Sequence, residues 1–206
     1  MKHIMILVLL FCINSLLASE QIPDLLLYDG KELTLDIYPL ESYFEKYPEK
    51  KSNHNIMSTA LRRGYIATFE FKDNFLTLNK LIIPDWSQKE RIERSVIDTV
   101  FPDVKDRQLR WYNGLLVIPI GEKNISFADE SYFLFHIVEG KLMAIKKYNL
   151  NEYKKFKRRM FERYTKTEDY KKQYNTLNKK IKNQFNPDDL LYSTGDFYQH
   201  VKIDFN

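Results

Sequence analysis

The chain has 206 residues, 44% hydrophobic, 15% aromatic and 29% charged, with a formal net charge of +4. A single cysteine excludes an internal disulfide framework and a cysteine-based zinc site. The small net charge says less about partners than where along the chain the charges fall.

Met1 to Ala18, MKHIMILVLLFCINSLLA, has the layout of a secretory signal peptide. Lys2 and His3 form a short basic start, Ile4 to Ile13 an apolar core, and Ala18-Ser19 a small-residue cleavage point. The apolar run is short for a membrane span, although extension through Leu17 keeps a retained anchor as the alternative. Phe11 before Cys12 argues against a lipoprotein signal, which needs a small residue there. Cleavage after Ala18 removes the only cysteine and leaves residues 19–206 as one domain that must hold together by burial.

The mature chain opens on a hairpin: Asp24 to Tyr28, the turn Asp29-Gly30, then Glu32 to Ile37. Pro39 suits a first helical turn, and Leu40, Tyr43, Phe44 and Tyr47 keep helical spacing until Pro48. Glu49 to Asn55 reads as a polar loop. The longest hairpin follows, within Ser58 to Ile83. Tyr65, Ala67, Phe69 and Phe71 alternate with Ile66, Thr68, Glu70 and Lys72, and Asp73-Asn74 tolerates the positive φ of a tight turn. Gly64 marks either a bulge or a turn closed in the left-handed region. The adjacent Arg62 and Arg63 are candidates for an anion site, since a fixed guanidinium grips carboxylate or phosphate bidentately. A structural ion pair to a nearby Asp or Glu, or plain exposure, is the preferred reading, because nothing beside them completes a site.

The words RRGYIATFEF, Arg62 to Phe71, resemble a strand of a bacterial family of unknown function, marked by an RGYIATF/WE-type strand followed by a hairpin. The resemblance reaches from this hairpin to the strands ending near Ile120. It implies a bacterial source and no particular activity.

Beyond the hairpin, Ser87 to Glu90 fits a capping box, and Ile92, Val96 and Val100 predict a helix stopped by Pro102. Asn113-Gly114, between Trp111-Tyr112 and Leu115 to Ile118, predicts a type I′ hairpin. Tyr132 to Val138, Glu139-Gly140 and Leu142 to Lys147 predict another. Leu150 to Phe185 keeps helical spacing through Tyr153, Phe156, Met160 and Tyr164 to Ile181. It is one long helix, or two with a break near Thr165 to Glu168. After Asn186-Pro187 and a short segment, Phe197, Val201, Ile203 and Phe205 predict a last strand or an apolar tail on the core.

Residues 146–182 hold fourteen Lys or Arg against four Asp or Glu, whereas the rest of the chain after Ala18 holds seventeen against twenty-four. Lys154, Lys155, Arg158 and Arg159 therefore join Arg62, Arg63, Trp111 and Tyr112 as candidate binding residues. A solvated face is the simpler explanation of the charge run.

No cofactor motif, phosphate loop, nucleophile elbow or metal-ligand spacing is present. His54, His136 and His200 are far apart. The acidic clusters Asp85-Trp86, Asp103 with Asp106, Asp129-Glu130 and Asp188-Asp189 are common surface patterns, and the aromatics Trp86, Trp111 and Tyr112 suit core packing as well as sugar stacking. The expectation is an α+β domain: an antiparallel sheet of β-hairpins packed against a long C-terminal helix and two short helices. Its expected role is non-catalytic and exported, in the periplasm or beyond, binding a protein partner or an anionic envelope component. It is not expected to be an integral membrane protein after signal cleavage. No cofactor and no nucleic acid is expected. The alternatives are a secreted hydrolase using carboxylates and aromatics in a cleft, and a binder of anionic glycan or lipid.

Overall fold

The computed structural model describes residues 21–51, 59–85, 92–120, 131–181 and 185–205. The proposed signal segment, His54, Trp86, Ser87 to Glu90 and Asp129-Glu130 lie outside them. The strands are β1 (Leu25–Tyr28), β2 (Lys31–Thr34), β3 (Ile66–Lys72), β4 (Phe75–Asp85), β5 (Ile92–Ser95), β6 (Gly114–Ile120), β7 (Ser131–Val138) and β8 (Lys141–Asn149). The α-helices are α1 (Glu41–Lys46), α2 (Ile97–Val100), α3 (Leu150–Tyr164), α4 (Glu168–Ile181) and α5 (Pro187–Thr194).

The strands form one sheet in the order β2-β1-β3-β4-β8-β7-β6, with β5 paired to β4. It is mixed, not purely antiparallel, because β1 lies parallel to β3 through Leu25↔Thr68 to Leu27↔Glu70. Three expected hairpins form, at turns where Asp29, Gly30, Asp73, Asn74, Glu139 and Gly140 all take positive φ. The bulge of the central hairpin sits at Thr68/Phe69. Gly64 instead closes a turn at φ +81°, donating to Leu61 O at 3.0 Å.

Two expected elements are replaced. Ile92 to Ser95 is strand, not helix: it pairs with Asp85 to Ile82, and only the single turn Ile97–Val100 is helical. Asn113-Gly114 makes no hairpin. Asn113 Oδ1 accepts from Glu139 N at 2.9 Å, Tyr112 O accepts from Gly140 N at 2.9 Å, and Gly114 begins β6. Asn113 and the preceding Tyr112 are thus bound to the tip of the β7–β8 hairpin.

That tip joins the two halves of the sheet. β4 and β8 meet only at Phe75↔Lys141, supported by Leu76 N to Gly140 O at 2.8 Å. A Cβ on Gly140 would stand 2.6 Å from Leu109 O, so the close approach requires glycine. Beyond the tip the halves fold over each other. Phe135 of β7 meets Tyr28 at 4.9 Å and Phe71 at 5.9 Å between ring centroids. Asp36 N donates to Val117 O at 2.8 Å, linking the chain just past β2 to β6 at the opposite end of the strand order. Leu115 to Ile118 are all fully buried, as expected of a strand covered on both faces.

The outer face of β7 and β8 carries α3 and the C-terminal tail. Tyr132 stacks on Tyr153 at 4.2 Å, Tyr148 meets Phe156 at 5.5 Å, and Phe156 stacks on Phe205 at 5.6 Å. The tail is irregular, not a strand. The helical stretch is two helices, α3 and α4, and not one long helix, so the alternative with a break near Thr165 to Glu168 is the one that forms. Thr167 Oγ1 accepts from Tyr170 N at 3.2 Å as the cap of α4.

Candidate interaction surface

The outward face of α3 follows from its sequence. Asn149 and Glu152 close a capping box, each side chain accepting from the other's backbone N–H at 2.9 Å. With the start pinned, Tyr153, Phe156, Met160 and Tyr164 form the buried stripe. Lys154, Lys155 and Arg158 then have to point to solvent, and all three are exposed. They line an open groove of about 370 Å³ with Asn151, Arg159 and Glu162.

The four cations of this groove are not equivalent. Arg159 is half-buried and donates to Asp204 O at 2.9 Å, while Arg163 one turn on pairs with Asp204 Oδ2 at 3.2 Å. Both hold the tail against the helix. Lys154, Lys155 and Arg158 have no carboxylate within ion-pair distance among the described residues. Lys157, on the flank, rests over the Tyr192 ring at 4.8 Å, where burial lowers its pKa against the opposing pull of Asp36. Among the described residues Glu162 is the one acidic side chain that lines the groove, so the lining carries a net positive charge.

The other candidate residues do not join this surface. Arg63 is 8% exposed and its Nη2 donates to Asp24 Oδ1 at 3.1 Å, to Ile22 O at 2.8 Å and to Tyr65 O at 3.4 Å. Its guanidinium lies 3.8 Å from the centre of the Tyr38 ring. The adjoining cavity, about 10 Å³ and lined by Lys51, Arg63, Gly64 and Tyr65, has room for about one water and for no larger ligand. Asp24 also accepts from Ala67 N at 2.9 Å, so one carboxylate fixes the entry to β1 and the start of β3. Burial pushes its pKa up to about 6, against the opposing charge of Arg63. Arg63 is thus the structural ion pair that the sequence favoured. Arg62 is exposed, and its backbone N–H donates to Gln21 Oε1 at 3.0 Å.

Trp111 and Tyr112 serve packing. Trp111 is half-buried and faces the Tyr43 ring of α1 at 5.5 Å. Tyr112 is fully buried, its hydroxyl donates to Leu115 O at 2.9 Å, and burial raises its pKa. Tyr112 therefore offers no face for stacking on a sugar. Of the acidic clusters, Asp103 caps the turn Val104–Arg107 and Asp188 accepts from the Tyr170 hydroxyl at 2.8 Å.

A polar chain across α3, α4 and the tail is not foreshadowed by any motif. Tyr164 OH donates to Gln173 Oε1 at 2.7 Å, Gln173 Nε2 lies 3.5 Å from His200 Nε2, and His200 Nδ1 lies 3.1 Å from Asp169 Oδ2. Asp169 and Gln173 share a helix face at i, i+4, which is readable; that His200 meets them is a tertiary fact. The chain docks the tail turn onto two helices and holds no nucleophilic serine or cysteine. His136 packs edge-on to Phe205 at 5.9 Å, and burial lowers its pKa. Among the described residues no group of three His, Cys, Asp or Glu could hold a metal ion, and no helix is long and apolar enough to cross a membrane.

Compared with protein-family models, curated proteins and solved structures, the chain matches none.

Proposed function

We propose that this is an exported, non-catalytic protein of the bacterial envelope, binding a protein partner with an acidic surface through the outward face of α3. The observation that carries the reading is the trio Lys154, Lys155 and Arg158 on one open groove, without a carboxylate in ion-pair distance among the described residues. Like charges at i, i+4 on a helix repel by about 0.2–0.5 kcal/mol per pair. A partner's carboxylates would remove that repulsion and gain attraction, whereas among the described residues no ion pair within the fold holds the trio. Segregated charge supports the same reading, since an acidic remainder balances a basic helical segment. Export rests on the layout of Met1 to Ala18.

The test uses the chain from Ser19 as bait in an envelope extract, beside K154E/K155E/R158E. An acidic protein held in stoichiometric amount by the unaltered bait, released by salt and lost from the reversed bait is the expected result. Equal recovery by both baits, or none by either, overturns the reading. Recovery of anionic glycan or lipid in place of protein would assign the groove to those ligands.

A further inference from the structure

We infer that the outer edge of β8, from Met143 to Lys147, takes an extended acidic segment of the partner by strand addition. The inference rests on the proposed binding role and names how part of the partner is held.

β8 pairs with β7 over its whole length, from Val138↔Lys141 to Ser131↔Asn149. Its other edge meets β4 at Lys141 alone, and among the described residues no strand pairs with that edge from Met143 to Asn149. The register shows which groups this leaves outward. A two-residue turn closes on a hydrogen-bonded pair, Val138 with Lys141, so Leu142 faces out; its N–H indeed goes to Asn74 O at 3.1 Å. Counting on through the irregularity at His136/Ile137, Phe135↔Ile145 and Phe133↔Lys147 are again non-hydrogen-bonded pairs. The N–H and C=O groups of Ile145 and Lys147 therefore face away from β7, in the spacing that an added strand needs.

The side chains supply the selectivity. Met143 is 61% exposed and Ile145 38%, two apolar contacts beside the open edge. Lys141, Lys146 and Lys147 surround them, all exposed. Lysines on an edge discourage pairing with another copy of the same strand, because like charges would face each other. They favour a strand carrying Glu or Asp between apolar residues. α3 starts directly after Asn149, so along the chain this edge is followed at once by the helix that carries Lys154, Lys155 and Arg158.

The probe is a fluorescein-labelled nonapeptide of alternating Glu and Val, beside polyglutamate of equal net charge and an alternating Glu-Pro peptide that has no N–H at every second residue. The protein is the chain from Ser19, unaltered or as K147A, K147P and M143E/I145E. K147A and K147P lose the same charge, and only the second loses the outward N–H; proline is tolerated at such an edge position. The expected result is Glu-Val binding weakened about tenfold more in K147P than in K147A and lost in M143E/I145E, with amide exchange at Ile145 slowed about tenfold by the peptide. Should K147P fail to fold, the exchange measurement and M143E/I145E decide. Equal affinities of K147A and K147P, equal binding of the Glu-Pro peptide, or unchanged exchange at Ile145 overturns strand addition. If polyglutamate still binds and K154E/K155E/R158E abolishes it, the α3 reading stands while the edge site falls.

Discussion

Arg63 and Arg158 put the same guanidinium to opposite uses. Arg63 is buried with its charge matched by Asp24, three hydrogen bonds on one nitrogen and a tyrosine ring against its face. Arg158 stands on a groove with two lysines and has no carboxylate within ion-pair distance among the described residues. Charge that the fold needs is buried and paired, since an unpaired buried ion costs several kcal/mol. Charge that the fold does not need remains in water, where its loss costs little. The contrast separates positions of structure from positions open to binding, and it can be tested.

The largest expected effect is at the buried pair. R63A or D24N leaves the partner ion buried and unmatched, and each should lose about 3–5 kcal/mol in urea unfolding monitored by tyrosine and tryptophan fluorescence. D24L/R63M together should lose less than either single change. A double change as costly as the sum would show that the pair is not coupled.

Next comes the cap that aims the basic face. N149A removes the oxygen that accepts from Glu152 N, and should cost about 1 kcal/mol, read as a lower midpoint in the same titration. The apolar stripe keeps α3 docked, so the helical signal in circular dichroism should persist.

Asp196 sharpens the comparison by pH. Burial pushes its pKa up to about 6, and its side chain pairs with no cation among the described residues. The folded state then holds that proton more tightly than the unfolded chain does. The stability gained is complete below about pH 4 and is lost as pH rises through about 6. D196N should remove that part of the slope, by up to about 1 kcal/mol after allowance for partial exposure, and leave the protein at least as stable at pH 7. Unfolding titrations at pH 4, 6 and 7 read the difference. A steeper loss of stability with rising pH in the variant would contradict it.

The smallest effect is expected on the open face. K154A, K155A and R158A should each change unfolding free energy by less than about 0.5 kcal/mol. A large loss at any of them would mean that the face is bound to the fold and not free for a partner.

How much of this was legible in sequence differs from element to element. The hairpins at Asp29-Gly30, Asp73-Asn74 and Glu139-Gly140 were readable because alternation and turn residues agreed within a few positions. Asn113-Gly114 carries an equally strong turn signal, yet the Asn113 side chain is taken by Glu139 and the neighbouring Tyr112 carbonyl by Gly140, far along the chain. Ile92 to Val100 has helical apolar spacing, but Ile92 is 53% exposed, and pairing with β4 overrides the pattern. On α3, the buried stripe predicted the exposed cations Lys154, Lys155 and Arg158. It did not predict that Arg159 would be drawn to Asp204, because that depends on where the tail lies.

The amino-acid sequence by itself determined the α+β class, three tight hairpins, the inward stripe of α3 and the segregation of basic charge. These depend on side-chain period, turn chemistry and capping, all local along the chain. Tertiary structure decided the parallel placement of β1 beside β3, the curling of the two half-sheets over Phe135, and which arginine is sealed and which stays free. Those outcomes depend on contacts between residues tens of positions apart, such as Asp24 with Arg63 and Asp36 with Val117. No local pattern encodes such a meeting, because its energy exists only once both partners have been brought together and desolvated.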